Sequence, residues 1–145
     1  MKSRSTLLAL LLVLLSLTAL GKTKIDGAWV LSEKWEGYMG IALVIHDESF
    51  KYWFYSDVVV PGDETRYPIA GRVEEKDGEI RLKAKADARL YDTMWRQVQW
   101  QGELCLLSQK DFESYVKSGV MPVSRLLYRV QKFDEAHPIM NRVKE

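Results

Sequence analysis

The chain has 145 residues, 21 of them basic and 20 acidic, giving a net charge of +1 with neutral histidines. That balance lacks the strongly basic footprint of a nucleic-acid binder, so no nucleic-acid partner is expected. A single cysteine excludes an intramolecular disulfide and a cysteine-built zinc site, so the core alone must hold the fold.

In chain order, Lys2 and Arg4 lead into Leu7–Leu20, fourteen residues interrupted only by Ser16 and Thr18. Ala19-Leu20-Gly21 then places small residues one and three positions before a cut, the pattern of a cleavable secretory signal. Fourteen residues fall short of the ~20 that a spanning helix needs. Residues 1–21 are therefore expected to leave an exported protein, periplasmic or extracellular, with no membrane span. Losing Lys2 and Arg4 leaves nineteen basic against twenty acidic residues. The remainder suffices for one domain, assigned to residues 22–133, with 134–145 as a loosely structured tail.

Short strands separated by turns follow, at Ala28–Lys34, Met39–His46, Phe50–Asp57, Tyr67–Glu75, Glu79–Ala86, Thr93–Gln101, Glu103–Leu107 and Arg125–Lys132. Glu79–Ala86 is the clearest, with Ile80, Leu82, Ala84 and Ala86 alternating with charged residues, one buried face and one wet face. Asp77-Gly78 before it signals a two-residue hairpin, which sets Lys76 against Glu79, Glu74 against Arg81, Val73 against Leu82 and Arg72 against Lys83. Asp47-Glu48-Ser49 turns another hairpin, and Val58–Arg66 forms a polar rim loop. Ser108, with Asp111 three residues on and Gly119 at the far end, brackets a helix that puts Phe112, Tyr115 and Val116 on one face. That helix is expected to plug or cover one barrel end. The fold class is all-β, an eight-stranded antiparallel meander closed into a small barrel, with a two-sheet sandwich as the alternative.

Candidate chemistry is sparse. His46 and His137 are far apart, no G-x-S-x-G turn is present, and the glycines are scattered at turns rather than gathered in a phosphate loop. Asp57, Asp63 and Glu64 flank one loop without the spacing of a calcium site. The expectation is therefore no enzyme, no catalytic residue, no metal and no cofactor. Cys105, between Leu104 and Leu106, reads as a small buried hydrophobe.

Aromatic residues are abundant, with five tryptophans, seven tyrosines and four phenylalanines. Tyr52-Trp53-Phe54-Tyr55 puts rings on both faces of one strand, and Trp95 and Trp100 have opposite parity on another. Large rings can build the core of a domain without disulfides, line a pocket for a small apolar ligand, or form an exposed patch. Under the pocket reading the ligand-binding residues are Tyr52, Trp53, Phe54, Tyr55, Trp95 and Trp100.

Gly27-Ala28-Trp29 at the first strand resembles the G-x-W signature of the calycins, the lipocalins and their barrel relatives. Arg129, in Leu126-Leu127-Tyr128-Arg129-Val130, is similar in position to the late-strand arginine that packs on that tryptophan, with Arg125 as the alternate. The resemblance covers roughly residues 27–132 and implies that Trp29 and Arg129 close one barrel end. The chain departs from it in lacking a T-D-Y motif and in placing its helix before the last strand. The functional expectation is non-enzymatic binding of a small apolar ligand. The alternative is an envelope protein-interaction or inhibitor module acting through rim loops.

Overall fold

Each strand pairs antiparallel with its neighbours in sequence, and the last returns to the first. The computed structural model describes residues 25–31, 39–56 and 68–135. The signal segment, the Val58–Arg66 rim, Asp57, Asp63, Glu64, His137 and the tail beyond Glu135 lie outside the described residues. The strands are β1 (Gly27–Leu31), β2 (Met39–His46), β3 (Ser49–Ser56), β4 (Ile69–Lys76), β5 (Glu79–Lys83), β6 (Met94–Trp100), β7 (Glu103–Ser108) and β8 (Leu127–Val130). They form a closed barrel in sequence order, which excludes the sandwich. Helix α1 (Gln109–Ser118) and a 3-10 turn (Val123–Arg125) lie between β7 and β8. The turn occupies the start of the expected last strand, so β8 is only four residues long. β5 ends at Lys83, short of the alternation that runs to Ala86, and the chain then turns with the Ala88 N–H donating to the Lys85 carbonyl.

Three two-residue hairpins define one end of the barrel. Asp47-Glu48 joins His46 to Ser49, Asp77-Gly78 joins Lys76 to Glu79, and Gln101-Gly102 joins Trp100 to Glu103. Asp77 (φ 53°), Gly78 (77°), Gln101 (50°) and Gly102 (81°) supply the paired left-handed residues of such turns. The β4–β5 register places Lys76, Glu74, Val73 and Arg72 opposite Glu79, Arg81, Leu82 and Lys83. The charges nevertheless pair out of register, one pair diagonally and one along β5. Lys83 reaches Glu74 at 2.5 Å and Arg81 turns to Glu79 at 3.1 Å. This relieves the like-charged Arg72–Lys83 position, and the Lys83 hydrogen bond holds the Glu74 carboxyl below its usual range.

Inward-facing residues fill the barrel. Trp29, Tyr52 and Trp95 are no more than 1% exposed and pack with Leu31, Leu43, Ile45, Ile80, Leu106 and Leu127. Truncating a ring of this kind to alanine costs about 3–5 kcal/mol, a large part of a typical ~5–15 kcal/mol stability. The barrel wall is apolar on its outside as well. Val30, Ala42 and Trp53 form one outer cluster, covered by Phe133 whose ring centroid is 5.4 Å from that of Trp53. Cys105, Leu107 and Leu126 form another, with Val98, Trp100, Phe112, Met121 and Tyr128 packed against it.

Ser108 caps α1 by accepting from the Asp111 N–H at 3.2 Å. Gly119 ends the helix at φ 71°, its N–H donating to the Tyr115 carbonyl. The expected plug is corrected in placement, because Phe112 packs on outward-facing Cys105 and Leu107. The helix thus lies against the outside of the β6–β7 wall, and it contains no fully buried residue. Phe112 and Tyr115 pack together, their ring centroids 6.4 Å apart, while Val116 is 66% exposed.

Gly71 marks a tight approach in the wall. A Cβ there would lie 2.1 Å from the Lys83 carbonyl oxygen and 2.8 Å from Phe50 Cε1. Gly71→Ala is expected to destabilise the fold by ~1–3 kcal/mol, lowering the thermal midpoint by roughly 4–12 °C. Thermal denaturation followed by circular dichroism measures this, and an unchanged midpoint contradicts the close approach.

Candidate functional site at the loop end

The two barrel ends are built differently. At the hairpin end, Trp29 donates from Nε1 to the Ile25 carbonyl at 2.9 Å, and its register partner on β8 is Arg129. The Arg129 guanidinium carbon lies 4.5 Å from the indole ring centroid, a cation–π contact. Gly27, at φ 137°, takes a backbone conformation that other residues rarely adopt, and a Cβ there would make only ordinary contact with Arg129 Nε at 3.5 Å. Gln97 donates to Glu75 at 2.8 Å, linking β6 to β4 across the start of β5. Asp26, His46 and Asp47 also meet here, their potential ligand atoms within 4.8 Å of one another. His46 and Asp47 are largely exposed, and the Asp47 N–H donates to Asp26 Oδ1 at 3.1 Å. Sequence spacing gave no hint of this group, because Asp26 is twenty-one residues from Asp47.

At the opposite, loop end several described inward residues are less fully buried. Phe54, Ile69, Ala84, Leu90 and Tyr91 are half-buried and pack on the core, above a floor that includes Tyr52 and Trp95. Residues 84–93 connect β5 to β6 along this rim. The Tyr91 N–H donates to the Tyr52 hydroxyl at 3.0 Å, and Trp95 Nε1 donates to the Asp92 carbonyl at 3.1 Å.

A polar network ties this connection to α1 and the turn after it. The Tyr91 hydroxyl donates to Asp111 Oδ2 at 3.1 Å and accepts from Arg125 Nη1. The Ser108 hydroxyl donates to the same Asp111 oxygen at 2.6 Å. Lys110 Nζ donates to the Tyr91 carbonyl at 3.0 Å and sits 3.4 Å from the Tyr91 ring centroid. Burial, followed by the charge of Asp111, pushes the Tyr91 phenol up to about 12. Burial raises Tyr52 as well. Both hydroxyls are thus protonated at neutral pH. Ser108 spends its proton on Asp111, so these side chains hold one another in place. Cys105 is fully buried and burial pushes its thiol up to about 11, away from thiolate chemistry.

The expected ligand-binding residues do not converge on one place. Tyr52, Phe54 and Trp95 face inward, whereas Trp53 belongs to the outer β1–β3 cluster and Trp100 to the one beneath α1. Two-residue alternation dictates that split, since neighbours on a strand point to opposite faces. Trp100 Nε1 is buried without a hydrogen-bond partner. The side chain of Tyr55 lies outside the described residues. Of the two candidate closing arginines, Arg129 lies on Trp29, while Arg125 serves Tyr91 at the other end. The importance of Tyr91 had no sequence signal, because its partners Asp111, Arg125 and Tyr52 are 20, 34 and 39 residues away. Comparison with protein-family models, curated proteins and solved structures finds no match.

The raised phenol makes alkaline stability a readout of this network. Tyr91 titrates at about 12 in the fold against about 10 when unfolded. The stability it adds is therefore complete below pH ~10 and is lost as pH rises from ~10 through ~12. Tyr91→Phe is expected to flatten the fall in stability across that window, measured by denaturant unfolding at stepped pH. An unchanged slope contradicts the assigned environment.

Proposed function

We propose that this chain is a non-enzymatic binding protein that holds a small apolar molecule at the loop end of its barrel. The half-buried inward set Phe54, Ile69, Ala84 and Leu90, standing on a filled floor, carries this reading. Ligand sites are concave, mostly apolar and equipped with few polar groups, and here Tyr91 supplies the polar edge. The site is a shallow mouth and not a deep calyx, because Trp29, Tyr52 and Trp95 occupy the space beneath it. The Gly27-Ala28-Trp29 segment and the stacked Arg129 support placing the chain among lipocalin-like barrels. Export to the periplasm or beyond follows from the reading of residues 1–21 as a signal.

The test is titration of the purified domain with a neutral fluorescent probe such as N-phenylnaphthylamine. Saturable one-to-one binding is expected, with a Kd in the micromolar range, roughly −8 kcal/mol. Phe54→Asp should weaken it at least tenfold, about 1.4 kcal/mol, by charging the mouth. Trp53→Ala, on the outer wall, should leave affinity unchanged while lowering stability. Binding that is absent, unsaturable or indifferent to Phe54→Asp rejects the reading.

A further inference from the structure

Residues 84–93 and α1 are both weakly anchored by apolar contacts. The helix has no fully buried residue, and within 84–93 only Ala84, Leu90 and Tyr91 pack against the core. The polar contacts that join the two segments converge on Tyr91 and Asp92. The Tyr91 hydroxyl clasps the helix from both sides, donating to Asp111 in its first turn and accepting from Arg125 beyond its end. Lys110 covers the Tyr91 ring and donates to its carbonyl, and the Lys110 N–H donates to Asp92 Oδ2 at 3.1 Å. Polar ties also reach the barrel: the Leu82 N–H donates to the Thr93 carbonyl at 2.8 Å, Arg96 Nε on β6 donates to Gln109 Oε1 at 2.7 Å, and Ser108 on β7 holds Asp111. The Tyr91 N–H donates to Tyr52, the Asp92 carbonyl accepts from Trp95, and β6 begins with the Met94 N–H on Asp92 Oδ1 at 3.1 Å.

We propose that residues 84–93 form a lid over the loop end that is latched to α1 on the outer wall by the Tyr91 side chain, so that loop and helix loosen together. The geometry gives the reason. Swinging Tyr91 off the mouth removes an acceptor from Arg125, a donor from Asp111, and the carbonyl and ring that Lys110 Nζ contacts, in one motion. Loosening the first turn of α1 withdraws Asp111 and Lys110 from Tyr91 in return. Such coupling is reciprocal by thermodynamic necessity, so a perturbation applied on either side is felt on the other. Local opening of this kind involves few buried apolar contacts and lies at the low-stability end of the fold. The lid covers Tyr52 and Trp95, the floor of the mouth, and its opening would be the step that admits a ligand.

The experiment is native-state amide hydrogen exchange on the ligand-free protein, so its outcome does not depend on whether the mouth binds anything. Tyr91→Phe keeps the ring and deletes the hydroxyl with its two hydrogen bonds. Exchange is expected to rise roughly tenfold at position 91 and, to the same degree, at the α1 amides from Phe112 to Gly119. Asp111→Asn perturbs the network from the helix side and should accelerate the amide of Tyr91. Amides of β2 and β3 serve as the reference and should not change in either variant. Acceleration confined to the element that carries the substitution overturns the proposal, since loop and helix would then open independently. A uniform increase that includes β2 and β3 also overturns it, because the lid would have no opening distinct from global unfolding.

Discussion

The β1–β8 ladder is the contact on which the rest of the structure depends. A meander of eight strands ends in two unpaired edges, each an invitation to another chain. Pairing Ala28, Trp29, Val30 and Leu31 with Val130, Arg129, Tyr128 and Leu127 removes both. The Trp29–Arg129 pair lies within that ladder, so the cation–π contact and the closing hydrogen bonds reinforce each other at the same register. Closure also fixes the circumference. Eight strands leave an interior wide enough for side chains or one small ligand, and Trp29, Tyr52 and Trp95 settle the choice at mid-barrel by filling it.

A filled barrel has a second consequence, written on its outside. A wall with Val30, Ala42 and Trp53 on one outer stretch and Cys105 and Leu107 on another would expose contiguous apolar surface if left bare. Both stretches are covered by segments that flank the last strand. Phe133 lies on Trp53, with the Lys51–Glu135 ion pair at 2.8 Å beside it. Phe112, Met121 and Leu126 lie on the other stretch. α1 is therefore a wall covering, which explains how a helix can come before the last strand without blocking the lumen. Partly exposed pairs such as Lys51–Glu135 contribute little, and the ring contact is the larger part of that clasp.

What was legible in the sequence follows from how far each determinant acts. Alternation in Glu79–Lys83, the Asp77-Gly78 turn and the Ser108/Gly119 helix ends are decided within a few residues, and register, hairpins and helix appear where those signals place them. The diagonal choice of Lys83 for Glu74 was less legible, because it depends on side-chain reach across the twisted pair. The aromatic run Tyr52-Trp53-Phe54 showed that both faces had to be covered but could not say by what. The cover of Trp53 comes from Phe133, and the neighbouring Lys51–Glu135 contact spans 84 residues. Tyr91 was invisible for the same reason, since Leu90-Tyr91-Asp92 has no period of its own. Its role exists only once β3, α1 and the segment before β8 have been brought to one end of the barrel.

The asymmetry of the two ends then bears on where function can reside. Three hairpins of two residues each hold the hairpin end, and a residue there cannot move without breaking a ladder. At the loop end, the 84–93 connection and the excursion through α1 are long and irregular, and are joined to each other by side-chain hydrogen bonds that can break without disturbing a strand pair. Scaffolds of this kind place rigidity and adaptability at opposite ends, and binding groups belong with the adaptable one. The polar atoms there are themselves committed. Tyr91, Asp111, Ser108 and Arg125 already satisfy one another. A strongly polar ligand would have to break part of that lattice to be held by these side chains. Under the proposed binding role, the network would favour an apolar occupant not by attracting it but by making polar competitors costly to accommodate.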